Sequence, residues 1–180
     1  MSKGSRLDGG GRIVAFYMGT GVDDRGRALP EVMRFSLDEL EDNHDYIQWL
    51  FPLDVPSGVQ PLAPLVDDNC RQAFRRSPQL RDALRRALRR MLEFYGLRIV
   101  ERADPAVIER GPSWSTRSPN WLNPGNHNYL RVTRIMTSLN LLGEKELAIA
   151  LQSCLELIYD ESPSLIGRTT IEYWRRAISA

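Results

Sequence analysis

Apolar residues recur every three to four positions over several stretches of this chain, and clusters of proline, glycine and asparagine separate those stretches. The clearest case is 78–95, where Leu80, Leu84, Ala87, Leu88, Met91, Leu92 and Tyr95 keep a 3.6-residue period. Ser77-Pro78 supplies an N-cap and a first-turn proline, and Gly96 a left-handed stop. Upstream, Ser36 with Glu39 makes a capping box, which predicts a helix over 37–50 that ends before Pro52. Leu29 to Phe35 predicts one or two helical turns. Asp67 or Asp68 caps a short helix through Phe74. Asn126 caps another through Leu142, with Leu130, Ile135, Leu139 and Leu142 facing inward. Two more helices are expected over 144–160 and 167–178.

The remaining segments read less regularly. Arg12 to Met18 is a short apolar element that fits strand or helix. Residues 19–27 are a loop by their glycine and aspartate content, and three prolines make 55–66 another. Residues 98–125 are expected to be mostly loop, pinned to the body by burial of Trp114 and Trp121. No strand pair and no internal repeat is predicted. The expected fold is all-α: a single-domain orthogonal bundle of about five to six helices with long Pro/Gly-rich loops, spanning 12–180 after a disordered lead-in over 1–11.

With 180 residues, the chain is long enough to bury a core without disulfides. Cys70 and Cys154 lack metal-ligand spacing, so reduced thiols in a cytoplasmic protein are expected, with one disulfide as the alternative. With only two histidines in addition, no metal site and no cofactor are expected. Nothing reads as a secretory leader, and no apolar run approaches the roughly 18 residues of a membrane span. Net charge is +1 but uneven: residues 1–66 hold six basic and ten acidic groups, residues 67–98 nine and four. Arginine supplies 22 of the 24 cations, a bias that a GC-rich genome also produces.

Three sets of residues could carry chemistry. On the expected helix 37–50, His44, Gln48 and Phe51 fall at i, i+4, i+7 beside Trp49, an arrangement that could line a polar pocket or be satisfied by backbone groups. At the helix opening with Asn126, the residues His127, Arg131 and Arg134 repeat that spacing. Arginines so near an apolar face need acceptors, which an internal network or an anionic ligand would supply. Arg81, Arg85 and Arg89 form a row opposite the leucines of 78–95. That row reads as a solvated face, or as an interaction surface for an anionic partner: an acidic protein, lipid head groups or nucleic acid. Nucleic acid stays open but is the less favoured of these, because stacking aromatics and a helix-turn-helix glycine turn are absent. No hydrolase, nucleotide-binding or metalloprotease motif is present. An enzyme would have to use His44 or His127 as its acid or base.

Several runs resemble the N-terminal region of the opioid growth factor receptor family, in that family's order: Ala15-Phe16-Tyr17 with Asp24-Arg25-Gly26-Arg27, His44-Asp45-Tyr46-Ile47-Gln48-Trp49-Leu50-Phe51-Pro52-Leu53, Phe94-Tyr95-Gly96-Leu97-Arg98, and Asn126-His127-Asn128-Tyr129-Leu130-Arg131-Val132-Thr133-Arg134-Ile135. Animal members are named for binding an enkephalin peptide and associate with nucleus and membranes without a transmembrane helix. The resemblance therefore implies a binding module and allows peripheral membrane association. It supplies no catalytic residues. Arginine bias and the lack of long C-terminal repeats lead one to expect a compact, bacterial-type member. The expected site is a pocket between the two motif helices, lined by His44, Gln48, Trp49, Asn126, His127, Arg131 and Arg134, for a small anionic or peptide-like ligand. A peptide carboxylate would suit Arg131 or Arg134.

Overall fold

The computed structural model describes residues 8–100 and 104–179. It is mostly helical, with eleven helices and a two-stranded sheet among the described residues. These fall into two compact units, 1–84 and 85–180, with the boundary inside one long helix.

In the first unit the elements are α1 (Gly9–Tyr17), α2 (Leu29–Val32), α3 (Leu37–Asp42), α4 (Ile47–Leu50), α5 (Asp68–Arg76) and the start of α6 (Pro78–Tyr95). The ambiguous segment at 12–18 is a helix, and it begins earlier than expected. Residues 1–7 of the expected lead-in lie outside the described residues, but Gly9, Gly10 and Gly11 form the first turn of α1, capped by Asp8. Glycine is required at position 10. A Cβ there would run into the Asp67 carboxylate. Asp67 is itself the N-cap of α5, accepting from the Cys70 N–H at 2.8 Å. One carboxylate thus sits against the first turn of two helices, where the orphan N–H groups and helix dipoles favour negative charge.

The helix expected over 37–50 is broken. The capping box at Ser36 and Glu39 forms as its spacing predicts, but α3 stops at Asp42 and α4 starts at Ile47. Asn43 adopts an extended conformation, and its Nδ2 donates to the Glu39 carbonyl, which closes α3. Beyond it, Tyr46 donates its hydroxyl to the Leu40 carbonyl. Below this corner lie the apolar side chains of α1, α4 and α5. Phe16 meets Trp49 at 5.3 Å between centroids, Tyr17 meets Phe74 at 5.1 Å, and the Tyr17 hydroxyl donates to the Leu50 carbonyl.

In the second unit, the end of α6 is followed by β1 (Leu97–Ile99), β2 (Ile108–Arg110), α7 (Trp114–Trp121), α8 (Asn128–Leu141), α9 (Lys145–Glu161), α10 (Pro163–Ile166) and α11 (Arg168–Arg176). Gly96 ends α6 with φ +77° as expected, and a Cβ there would also lie 2.9 Å from the Trp114 Cα. The segment 98–125 departs from its expected loop character. It opens with an antiparallel hairpin, Leu97 facing Arg110 and Ile99 facing Ile108, and continues into α7 despite Pro119. Both strands are too short for period-two alternation to stand out. Of the two tryptophans expected to pin this segment by burial, Trp121 is fully buried and its indole N–H donates to the Tyr95 carbonyl at 3.0 Å, whereas Trp114 is only half-buried and packs edge-to-face on Trp121. An edge-to-face series of rings runs Phe94, Tyr95, Trp121, Tyr129, Trp174. Leu130, expected to face inward, is 69% exposed; the inward positions of α8 are Tyr129, Val132, Ile135, Met136 and Leu139.

Both cysteines are free and buried. Burial, with the nearby Asp67 charge adding to it, pushes the Cys70 thiol up to about 12; burial pushes Cys154 up to about 11. The native protein at about pH 8 should therefore leave both thiols unmodified by an aromatic disulfide reagent, and the denatured chain should release two equivalents. Rapid native labelling would contradict the burial described.

Candidate functional site

The polar residues of the first motif gather around the loop after α1. Asp23 is almost wholly buried and turns the loop: its carboxylate accepts from the backbone N–H groups of Arg25 and Arg27, each at 2.9 Å, and from Arg27 Nε at 2.6 Å. Gly26, at φ +78°, closes this turn. Arg27 also donates through Nη2 to Asp45 at 2.8 Å and lies over the Phe35 ring, while Arg25 reaches the other Asp45 oxygen at 2.9 Å. Burial alone would raise the Asp45 carboxyl, but Arg27 and Arg25 outweigh it and hold the group below its ordinary 3.8. This ion network explains the break in the expected helix. Asp45 is drawn to arginines eighteen and twenty residues upstream, and a helix through 43–46 would forfeit them.

The sign of the pH effect follows. A depressed carboxylate stabilises the fold above its unfolded value and loses that contribution as pH falls through its lower folded value. Asp45→Asn should therefore cost stability at neutral pH, and the deficit should shrink once pH falls below 3.8. Chemical denaturation of both proteins over acid pH checks this. A deficit independent of pH would contradict it.

Trp49 joins this network to a groove. Its ring is buried, with the Arg12 guanidinium 4.9 Å from the centroid, and its Nε1–H donates to Asp24 Oδ2 at 3.2 Å. Arg12 binds the other Asp24 oxygen at 2.6 Å. Asp24, so fixed, forms one wall of a groove of about 440 Å³ whose remaining lining is Val59 to Ala63. Val59 and Leu62 stand 76% and 86% exposed. Of the other expected residues in this unit, His44 is exposed in the connection between α3 and α4, so it shares no helix face with Gln48. Gln48 is buried in α4, and its Oε1 has no hydrogen-bond partner among the described residues.

The second motif lies in the other compact unit. Asn126 precedes α8, accepts from the Asn128 N–H at 2.9 Å and donates to Asn123 and Asn120. His127 is the exposed N-cap position. Arg131 is only 6% exposed and donates to Asn128 Oδ1, and burial lowers the half-buried Arg134 guanidinium. On α6, Arg81 donates to the Arg75 carbonyl and Arg85 pairs with the buried Glu144 at 3.0 Å, while Arg89 is exposed.

Sequence reading missed Asp23, Asp24 and the loop 59–63 as parts of a site. The signal for the first two was the pair of acids set directly before two arginines in Asp23-Asp24-Arg25-Gly26-Arg27. Among the described residues, no three His, Cys, Asp or Glu side chains are grouped to hold a metal ion, and no helix is long and apolar enough to cross a membrane.

A mostly helical chain carrying these motifs in this order belongs to the opioid growth factor receptor family. The match to the opioid growth factor receptor (OGFr) conserved region covers residues 28–180. The opioid growth factor receptor of Mus musculus is 39% identical over 144 residues, covering 78% of this chain and 22% of that protein. That of Homo sapiens is 42% identical over 106 residues, 59% and 15%. The opioid growth factor receptor-like protein 1 of Mus musculus is 32% identical over 142 residues, 76% and 29%. The chain thus spans less than a third of the length of these relatives. No solved structure matches it.

Proposed function

We propose that this chain is a peptide-binding module whose ligand lies in the groove beside Asp24, its amino terminus on the Asp24 carboxylate and its apolar side chains against Val59 and Leu62. The observation that carries this reading is a carboxylate locked by Trp49 and Arg12 at the wall of a groove with exposed apolar residues. Locking matters because a pre-positioned charge loses little entropy on binding. The acidic balance of residues 1–66 draws a cationic end toward this unit. Trp49 then acts as part of the frame, holding Asp24 at the groove wall through its indole N–H. The relatives named receptors for opioid growth factor support a ligand of the peptide class.

The test is a calorimetric titration with a short peptide bearing a free amino terminus and an aromatic residue, beside its N-acetylated form. Binding should be lost on acetylation and reduced at least about tenfold in Asp24→Asn, the loss of one charge-assisted contact. No binding, or equal binding by the acetylated peptide, would overturn the proposal.

A further inference from the structure

We propose that the free edge of β1 takes up a third strand: an extended segment of a partner protein in which one acidic residue stands between two aliphatic ones. Gly111 donates to the Gly96 carbonyl at 2.8 Å, and Val100 donates to the Val107 carbonyl at 2.9 Å. With Arg98 facing Glu109 between them, these are the alternate hydrogen-bonded pairs of one antiparallel ladder. Leu97 and Ile99 fall between those pairs, so their N–H and C=O groups turn away from β2. Among the described residues no hydrogen bond reaches those groups, and α9 packs against β2. A strand edge whose donors and acceptors are unpaired is a template for pairing with another chain.

All three residues of β1 line a groove of about 390 Å³, whose opposite wall is Arg89, Leu92 and Glu93 of α6. Successive strand residues point to opposite faces, so a groove that all three line runs along the strand's edge. Leu97 and Ile99 share one face, and Leu92 lies buried beside them. An added antiparallel strand puts the residues opposite Leu97 and Ile99 on that face, where aliphatic side chains suit Leu92. The residue between them stands opposite Arg98, on the other face. The Arg98 side chain is 58% exposed, and its Nε and Nη2 both bind one oxygen of Glu109, at 2.9 and 2.5 Å. A carboxylate on the far side of Arg98 completes a row of acid, base and acid across three strands. Of the other charges on the groove, Glu93 is held by Arg90 at 2.5 Å, and Arg89 adds a second cation. A second copy of the chain does not fit, because pairing two β1 edges antiparallel through Leu97 and Ile99 sets Arg98 directly against Arg98. Three residues of edge make a small interface, so the complex should be weak and in rapid exchange.

The probe is the peptide Thr-Val-Glu-Val-Thr, acetylated and amidated so that it offers no amino terminus to Asp24. Titration followed by proton–nitrogen correlation spectra should shift the Leu97 and Ile99 amide resonances, and those amides should exchange with deuterium more slowly in the complex. A copy N-methylated at both valines should not bind, because it lacks the two N–H groups that Leu97 and Ile99 would accept. Thr-Val-Lys-Val-Thr should bind at least about fivefold more weakly. Arg98→Thr should bind the glutamate and lysine peptides alike, and Asp24→Asn should bind the probe as the wild type does. No binding of the capped probe, equal binding of the N-methylated copy or of the lysine peptide, a loss of binding in Asp24→Asn, or amide shifts confined to residues outside β1 would overturn the proposal.

Discussion

Replacing Asp23 with alanine should be among the most damaging single changes in the first unit, costing about 3–5 kcal/mol. The carboxylate is almost fully buried and answers three donors at once, two of them backbone N–H groups. Its loss leaves those groups without their acceptor and leaves Arg27 with Asp45 as its remaining carboxylate. The penalty is that of two backbone donors losing a buried acceptor together with one of the two carboxylates that hold Arg27, which exceeds the small net contribution of a surface ion pair. At roughly 2–4 °C per kcal/mol for a chain of this size, the melting temperature should fall by about 10 °C. Asp23→Asn keeps the shape and one acceptor, so it should fall between the two. A melting temperature within about 2 °C of wild type for Asp23→Ala would mean that the loop 19–27 is not anchored in the way described.

The second large effect is expected at Trp121. Its side chain is fully buried, packs edge-to-face on Tyr95, Trp114 and Tyr129, and donates to the Tyr95 carbonyl. Trp121→Ala removes the middle of the ring series and leaves a cavity, at a cost of about 3–5 kcal/mol. Trp121→Phe refills most of the space but removes the indole donor to the Tyr95 carbonyl, so it should recover part of that loss. Urea denaturation followed by far-ultraviolet circular dichroism separates the three proteins. Equal midpoints for wild type and Trp121→Ala would show that the rings do not hold α7 in place.

What the sequence made legible was local. The capping box at Ser36 and Glu39, the Ser77-Pro78 start and the Gly96 stop all depend on residues within one turn of each other, and all three form. The errors share the opposite character. The break at 43–46 depends on Arg25 and Arg27, eighteen or more residues away, and no local pattern around His44 announces it. The hairpin at 97–110 has three residues in each strand, too few to establish a period. Pro119 marked a loop by its type, whereas α7 accommodates it while Trp121 and Arg117 tie that helix to the carbonyls of Tyr95 and Phe94. The site followed the same division. Trp49 was identified from its motif, but its partners Asp24 and Arg12 emerge only once the chain has folded back.

The central claim, a peptide held by its amino terminus at Asp24, has a direct reporter. The Trp49 indole N–H donates to Asp24, and the chain holds four tryptophans, so its signal is one of four indole resonances in a proton–nitrogen correlation spectrum. Titration with the free-amino peptide should move the Trp49 resonance progressively while leaving the buried Trp121 and Trp174 in place, and the N-acetylated peptide should move none of them. A Trp49 resonance that stays fixed while the peptide binds and shifts signals elsewhere would contradict the account.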